Sequence, residues 1–216
     1  MVSALDSAFT SPVYSDEETA ALFSDEAEID ALIKFERELA LVQESLGIIP
    51  PGTGREISAD LDNFKVTPAS LAQGYTKDGI PIPALLEILR QKLKAETANY
   101  LHFGATSQDA LDTGLIIRVK SAITVIKQNL NYLITELIDL ANKHKSTVMV
   151  GRTRNQNAAP TIFALKVVNW LIPLKRQRVR LEELTPRLLV IQLGGSVGNN
   201  AALRKRGGEV CIELAK

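Results

Sequence analysis

From Asp25 to Leu46, apolar side chains recur at three- and four-residue steps: Ile29, Leu32, Ile33, Leu39, Val42 and Leu46, with Glu28, Lys34, Glu38 and Glu44 between them. That spacing lays one apolar stripe along a helix, and Gly47 supplies its stop. The prolines and glycines at 50–54 break the period, and Ser58 then predicts the start of another helix. Turn signals return from Gln73 to Pro83, where Gly74, Gly79, Pro81 and Pro83 punctuate the chain. A stripe of Leu85, Leu86, Leu89 and Leu93 follows. Residues 1 to about 100 therefore read as several short-to-medium helices with irregular links.

The next segment is longer and more regular. From Thr113 to Lys145 there is no proline, and Ile116, Val119, Ile123, Ile126, Leu130, Leu133, Leu137 and Leu140 keep the helical spacing. One helix here would be roughly 50 Å long at about 1.5 Å per residue. Ile117, Ile134 and Ile138 widen the stripe, which predicts packing against more than one neighbour in a bundle. A second long helix is predicted from Ala158 or Pro160 to about Leu184, with a kink at Pro173. Residues 187–195 read as an extended or buried connector, and 207–216 as a further amphipathic stretch that stops in mid-pattern. Two long helices without evident partners leave apolar surface that predicts oligomerisation, a chain cut short, or both.

Composition narrows the function. The chain has 216 residues, 45% of them hydrophobic and 5% aromatic, and its 25 Lys and Arg balance 25 Asp and Glu. This is the profile of a folded globular protein whose core is Leu, Ile, Val and Ala, as packed helices use. A net charge of zero offers no general field for a phosphate backbone, so no nucleic-acid partner is expected. No apolar run approaches the roughly 20 residues of a bilayer span, and no membrane partner is expected. The first twenty residues lack a signal-peptide pattern and Cys211 is the sole cysteine, which together predict a reduced, cytoplasmic setting. His102, His144 and Cys211 make no zinc-type spacing, and Asp109 with Asp112 is a poor hard-cation cage, so no metal is expected.

Three polar, glycine-containing islands border the long helices. In 101–114, Gly104 permits a tight turn, and Thr106, Ser107 and Gln108 gather hydroxyls, an amide and main-chain donors ahead of a helix N-terminus. Such a place binds a carboxylate; taken alone, the segment reads first as a helix capped by Ser107 or Asp109, with His102 a packed histidine. In 150–160, Arg152, Thr153, Arg154, Asn155, Gln156 and Asn157 offer many donors and no good proton acceptor, which suits an anion clamp or a solvated turn. In 192–200 the glycines lack the acidic residue and strand context of a dinucleotide fingerprint, so the segment reads as a turn and no cofactor is expected. The basic run Lys175, Arg176, Arg178 and Arg180 decorates a helix face opposite Glu182 and Glu183.

Read together, His102-Phe-Gly-Ala-Thr-Ser-Gln-Asp-Ala-Leu-Asp-Thr-Gly114, Gly151-Arg-Thr-x-x-Gln156 with Ala158 and Pro160, and Arg187-Leu-Leu-Val-Ile-Gln-Leu-Gly-Gly195 resemble the fumarase, aspartase and adenylosuccinate lyase superfamily. Gln108 after Thr106-Ser107, the Asp112-Thr-Gly ending, Phe9-Thr-Ser-Pro-Val and Gly79-Ile-Pro-Ile-Pro resemble its bacterial 3-carboxy-cis,cis-muconate cycloisomerase branch. The resemblance implies an all-α fold: a small N-terminal helical domain over 1–105, then the first part of a long-helix bundle over 106–216. It also implies a homotetramer whose active sites draw on three subunits, acting without a cofactor on a small di- or tricarboxylate. The reaction implied is lactonisation of 3-carboxy-cis,cis-muconate in aromatic degradation through protocatechuate. A fumarate-releasing, adenylosuccinate-like lyase and a non-catalytic helical oligomerisation or binding protein are the alternatives.

By the same resemblance, His102, Thr106 and Ser107 are the catalytic candidates, Thr106 and Ser107 holding one carboxylate. Gln108, Arg152, Thr153, Arg154, Gln156 and Asn157 would bind substrate, with Thr153 and Gln156 on a second carboxylate. Two positions depart from the family pattern. Arg154 stands where histidine or tryptophan is usual and can only bind charge, and Asn157 stands where histidine is common. The family's third signature, a Gly-Ser-Ser-x-Met-Pro loop carrying the serine base, lies beyond residue 216 in relatives, so the chain is expected to be truncated and the activity of this form is left open.

Overall fold

The computed structural model describes residues 3–5 and 7–216; Met1, Val2 and Asp6, part of the stretch read for a leader, lie outside them. Regular structure is almost wholly helical. In chain order it comprises α1 (Ser11–Tyr14), α2 (Glu17–Ala21), α3 (Asp25–Ser45), α4 (Thr53–Asp60), α5 (Pro68–Asp78), α6 (Ile82–Lys92), α7 (Ala95–Ala98) and α8 (Ser107–Lys143). The strands β1 (Val148–Thr153) and β2 (Gln156–Ile162) follow, then α9 (Phe163–Leu188), a short tight-helical turn and α10 (Gly207–Leu214). Among the described residues, no helix is long and apolar enough to cross a membrane. The chain divides into two compact units, residues 1–121 with 189–216 and residues 122–188, the first boundary falling within α8.

In the first unit α3 is the central element. Ser24 caps it, accepting from the Ala27 N–H, and Asp25, Glu26 and Glu28 complement the helix dipole in its first turn. The stripe read from sequence is buried: Ile29, Leu32, Ile33 and Leu39 are at most 4% exposed, joined by Phe35 at 1%. They pack with Ile57, Leu61, Ile82, Leu85, Leu89, Leu101, Leu203 and Val210 in one core, so α4, α6 and α10 and the segments between them close around α3.

Three expectations for element boundaries need correction. The helix expected from Ser58 begins at Thr53, because Gly52 (φ 88) turns the chain before it and Gly54 lets α4 press directly on α3. The turn expected from Gln73 is helix through Asp78: Gly74 is there for contact, its ideal Cβ lying 2.4 Å from the Ala84 Cβ, and the true stop is Gly79 at φ 73. The helix expected from Ala158 or Pro160 starts at Phe163 and runs to Leu188, since residues 156–162 form a strand instead.

That strand belongs to an antiparallel hairpin in the second unit, pairing Val148 with Ile162, Met149 with Thr161 and Val150 with Pro160. Proline is tolerated because a two-stranded ribbon leaves one edge of each strand unpaired. Arg154 and Asn155, both at positive φ (46 and 65), make the two-residue turn that closes Thr153 on Gln156. On α9, Ala164, Val167 and Leu171 are buried at helical spacing, while Pro173 and Pro186 lie inside the helix. Leu165, Trp170, Ile172, Val179 and Leu184 on α9 and Ile126, Tyr132, Leu133 and Ile138 on α8 are at least 38% exposed.

Candidate functional site

The segment 99–106 bends tightly onto the N-terminus of α8. His102 (φ 63) and Gly104 (φ 75) both take left-handed conformations, and the Ala105 N–H bonds the His102 carbonyl at 3.3 Å. Gly104 meets two constraints at once, since a Cβ there would also lie 2.8 Å from the Leu203 Cδ2. Two polar residues of α3 grip this turn. Glu36 Oε1 lies 2.6 Å from His102 Nδ1, and Gln43 Nε2 donates to the Phe103 carbonyl at 2.7 Å.

Asp109, 1% exposed, organises the other side. Its carboxylate accepts from the Thr106 N–H at 3.0 Å, capping α8 from its third residue, and from the Gly194 and Gly195 N–H groups at 2.9 Å each. One turn along, Thr113 Oγ1 donates to the Gln192 carbonyl and accepts from its N–H, both at 3.0 Å. The 192–195 segment is thus zipped to one face of α8, and its glycines admit the approach: a Cβ on Gly195 would lie 3.0 Å from the Gly104 carbonyl oxygen. Residues 192–195, read from sequence as part of a glycine turn, form this clasp on α8. Burial, and after it the neighbouring Asp109 carboxylate, push the Cys211 thiol above its ordinary range.

The sequence candidates of this unit gather at one place. Thr106 and Ser107 are half-buried at the start of α8, and their hydroxyls make no hydrogen bond to any described residue. An α-helix leaves its first N–H groups without intrahelical partners. Asp109 takes that of Thr106, so those of Ser107 and Gln108 remain for a ligand or solvent. Gln108 is exposed, and its Nε2 is committed to Asp112 Oδ1 at 2.6 Å. His102 has only 11% of its side chain exposed.

The second unit holds the other five candidates on the hairpin. Thr153 sits opposite Gln156, and Arg152 opposite Asn157. Residues directly paired share a face and successive residues alternate, so Thr153 with Gln156 faces one way and Arg152 with Asn157 the other. Arg154 occupies the turn between them. The register slips between Val150 and Arg152, where Gly151 opposes both Ala158 and Ala159; a Cβ there would lie 2.6 Å from the Ala159 carbonyl oxygen. All five candidate side chains are exposed.

Sequence reasoning missed Glu36, Gln43 and Thr113. The signal for the first two was present: they sit seven residues apart on the same stripe as Ile29, Leu32 and Leu39, polar residues where the period demands apolar ones. Among the described residues, no three His, Cys, Asp or Glu side chains come together as a metal-ligand set.

A family model described as lyase matches residues 56–216. The 3-carboxy-cis,cis-muconate cycloisomerase of Pseudomonas aeruginosa is 36% identical over 199 residues, covering 91% of this chain and 43% of that protein. The adenylosuccinate lyase of Methanocaldococcus jannaschii is 33% identical over 205 residues, covering 94% of this chain and 44% of that protein. The crystal structure of the 3-carboxy-cis,cis-muconate lactonizing enzyme of Pseudomonas putida superposes with a TM-score of 0.89 at 34% identity, over 94% of this chain and 47% of that one. A fumarate lyase from Mesorhizobium superposes equally well, at 35% identity over 94% and 48%. This chain therefore spans less than half the length of these relatives. With three quarters of its length under the lyase model and 0.89 superposition on a lactonizing enzyme, the chain belongs to the fumarase and aspartase superfamily of lyases, with specific homology to the 3-carboxy-cis,cis-muconate cycloisomerases.

Proposed function

We propose that this chain carries carboxylate-binding parts of an active site for lactonisation of 3-carboxy-cis,cis-muconate, completed in the whole protein by other segments and subunits. The observation that carries the reading is the pair of unengaged Thr106 and Ser107 hydroxyls beside the free N–H groups of α8, held in place by Asp109. Neutral donors at the positive end of a long helix bind an anion without a buried counter-charge. In the reaction, one substrate carboxylate adds to a carbon–carbon double bond and a proton is delivered to the adjacent carbon. Negative charge builds on the carboxylate flanking that carbon, where preorganised donors stabilise it. His102 would exchange the proton or steady the substrate, and Gln108, exposed on the first turn of α8, would stand beside it.

The hairpin would supply the second carboxylate site. Its alternation favours Thr153 and Gln156 acting as one pair, with Arg152 and Asn157 available to a different group and Arg154 adding fixed positive charge at the turn. The homology to a cycloisomerase supports this substrate class; the 33% identity to an adenylosuccinate lyase supports a second reading, in which the whole protein releases fumarate. Assays of the whole protein for lactone formation and for fumarate release distinguish them.

Ser107→Ala is expected to weaken binding of a muconate-type tricarboxylate by about 1–3 kcal/mol, the value of a hydrogen bond to a charged group in a half-buried site. Calorimetry checks it, and an affinity equal to that of the parent rejects the role of Ser107. The exposed apolar residues of α8 and α9 further favour a homotetramer. Light scattering is then expected to give a mass several times 23.6 kDa, and Trp170→Glu on the exposed face of α9 to reduce it. A parent that is monomeric at micromolar concentration removes this part of the proposal. A cytoplasmic location belongs to the same reading.

A further inference from the structure

We propose that Glu36 is the positioning residue of His102: it holds a proton on Nδ1, so that Nε2 is the ring nitrogen through which His102 exchanges protons or hydrogen bonds with anything bound beyond it. The pair is buried, with 1% of the Glu36 side chain and 11% of the His102 side chain exposed, and a 2.6 Å contact requires one proton between Oε1 and Nδ1. Imidazole is the stronger base of the two, so the proton resides on nitrogen and the carboxylate accepts. Glu36 Oε2 is buried and has no hydrogen-bond partner among the described residues, leaving His102 as the hydrogen-bonding outlet of that carboxylate.

The backbone points the same way. His102 is held at φ 63, a conformation that side-chain-bearing residues take at some cost and keep when the surroundings demand it. The demand comes from α3, which anchors the imidazole through Glu36 and the next carbonyl, that of Phe103, through Gln43 two turns further on. An orienting carboxylate behind one nitrogen is the general means of presenting the other in a defined protonation state. This gives the turn at 101–106 a directed proton-transfer group in addition to the donors of Thr106 and Ser107. That catalytic use rests on the proposed function, whereas the Nδ1 assignment does not.

The test reads the tautomer directly in the full 216-residue chain. Nitrogen-15-labelled histidine, observed by long-range proton–nitrogen correlation at a pH where imidazole is neutral, gives two ring systems, and His144→Gln assigns them. His102 is expected as the Nδ1–H tautomer, against the Nε2–H preference of histidine in water. Glu36→Gln, whose amide can donate to Nδ1, is expected to switch His102 to Nε2–H. Gln43→Leu, which loosens the same turn without touching the ring, is expected to leave Nδ1–H in place. An Nε2–H tautomer in the parent overturns the inference, and so does a switch of equal size in both variants. Should Glu36→Gln fail to fold, the parent spectrum alone decides. A parent with the Nδ1–H tautomer that fails to bind tricarboxylate would leave Glu36 positioning His102 and remove only the proposed substrate.

Discussion

Asp109→Ala is expected to lower unfolding free energy by about 3–5 kcal/mol, a large fraction of the margin by which small domains are folded. The carboxylate is 1% exposed and accepts from three main-chain N–H groups, those of Thr106, Gly194 and Gly195. Removing it strands the buried Gly194 donor at about 1–3 kcal/mol, with smaller losses at the two partly exposed ones. Asp109→Asn tests charge and geometry apart from volume. The amide keeps one acceptor but turns an NH₂ toward a backbone N–H, so a loss of at least about 2 kcal/mol is expected although the side chain is isosteric. Asp112→Ala is the control: its partner is the exposed Gln108 side chain, and a change within about 0.5 kcal/mol is expected. Urea unfolding followed by circular dichroism measures all three. A midpoint for Asp109→Ala within experimental error of the parent would mean that the clasp between α8 and the 192–195 segment does not hold the site. Because the same carboxylate fixes the Thr106 N–H, the variant should also lose tricarboxylate affinity at temperatures where it remains folded.

The contrast between Asp109 and Ser107 shows where sequence reading stops. Both stand ahead of a long helical pattern and both could cap it; which one faces inward depends on Gly194 and Gly195, some eighty-five residues away, and periodicity carries no information about that pairing. The helices themselves were legible because their stripes are long: α3, α6, α8 and α10 appear close to where the three-to-four spacing puts them. The hairpin was not. Most of its strand residues are exposed, the β1 sequence Val-Met-Val-Gly-Arg-Thr does not alternate apolar with polar, and the one local signal, two residues closing a turn at Arg154-Asn155, is unusual in placing arginine at positive φ. Glu36 and Gln43 were legible in principle as breaks in an apolar stripe. Their partners, in a turn some sixty residues later, were not.

Gly54→Ala sets two opposing effects against each other, and their sizes decide the sign. In an exposed helix the change favours the fold by about 1 kcal/mol through propensity. Here the new Cβ would lie 2.3 Å from the Ala40 carbonyl oxygen and 2.8 Å from its carbon, both backbone atoms of α3 that no rotamer change can move. Relief requires α4 to shift away from α3, and overpacking of this kind typically costs about 1–3 kcal/mol, occasionally more. The shift would also strain the Glu44 carboxylate, which accepts from the Arg55 N–H at 2.9 Å and from Arg55 Nε at 2.8 Å and is held below its usual range chiefly by the former. A net loss of about 1–3 kcal/mol is therefore expected. Gly208→Ala provides the opposite sign. It lies in α10 with nothing within 4 Å of its ideal Cβ, so propensity acts alone and a gain of about 0.5–1 kcal/mol is expected. Equilibrium unfolding of the two variants side by side measures the difference, and stabilisation by both would show that α3 and α4 are not in backbone contact at Gly54. The effect reaches the candidate site through a short path. Glu56 on α4 accepts from Thr97 Oγ1 at 2.8 Å and from Lys94, and the turn that carries His102 begins immediately after that segment. A displaced α4 therefore pulls on the segment that leads into the turn, and Gly54→Ala should weaken tricarboxylate binding as well as stability, whereas Gly208→Ala should leave binding unchanged.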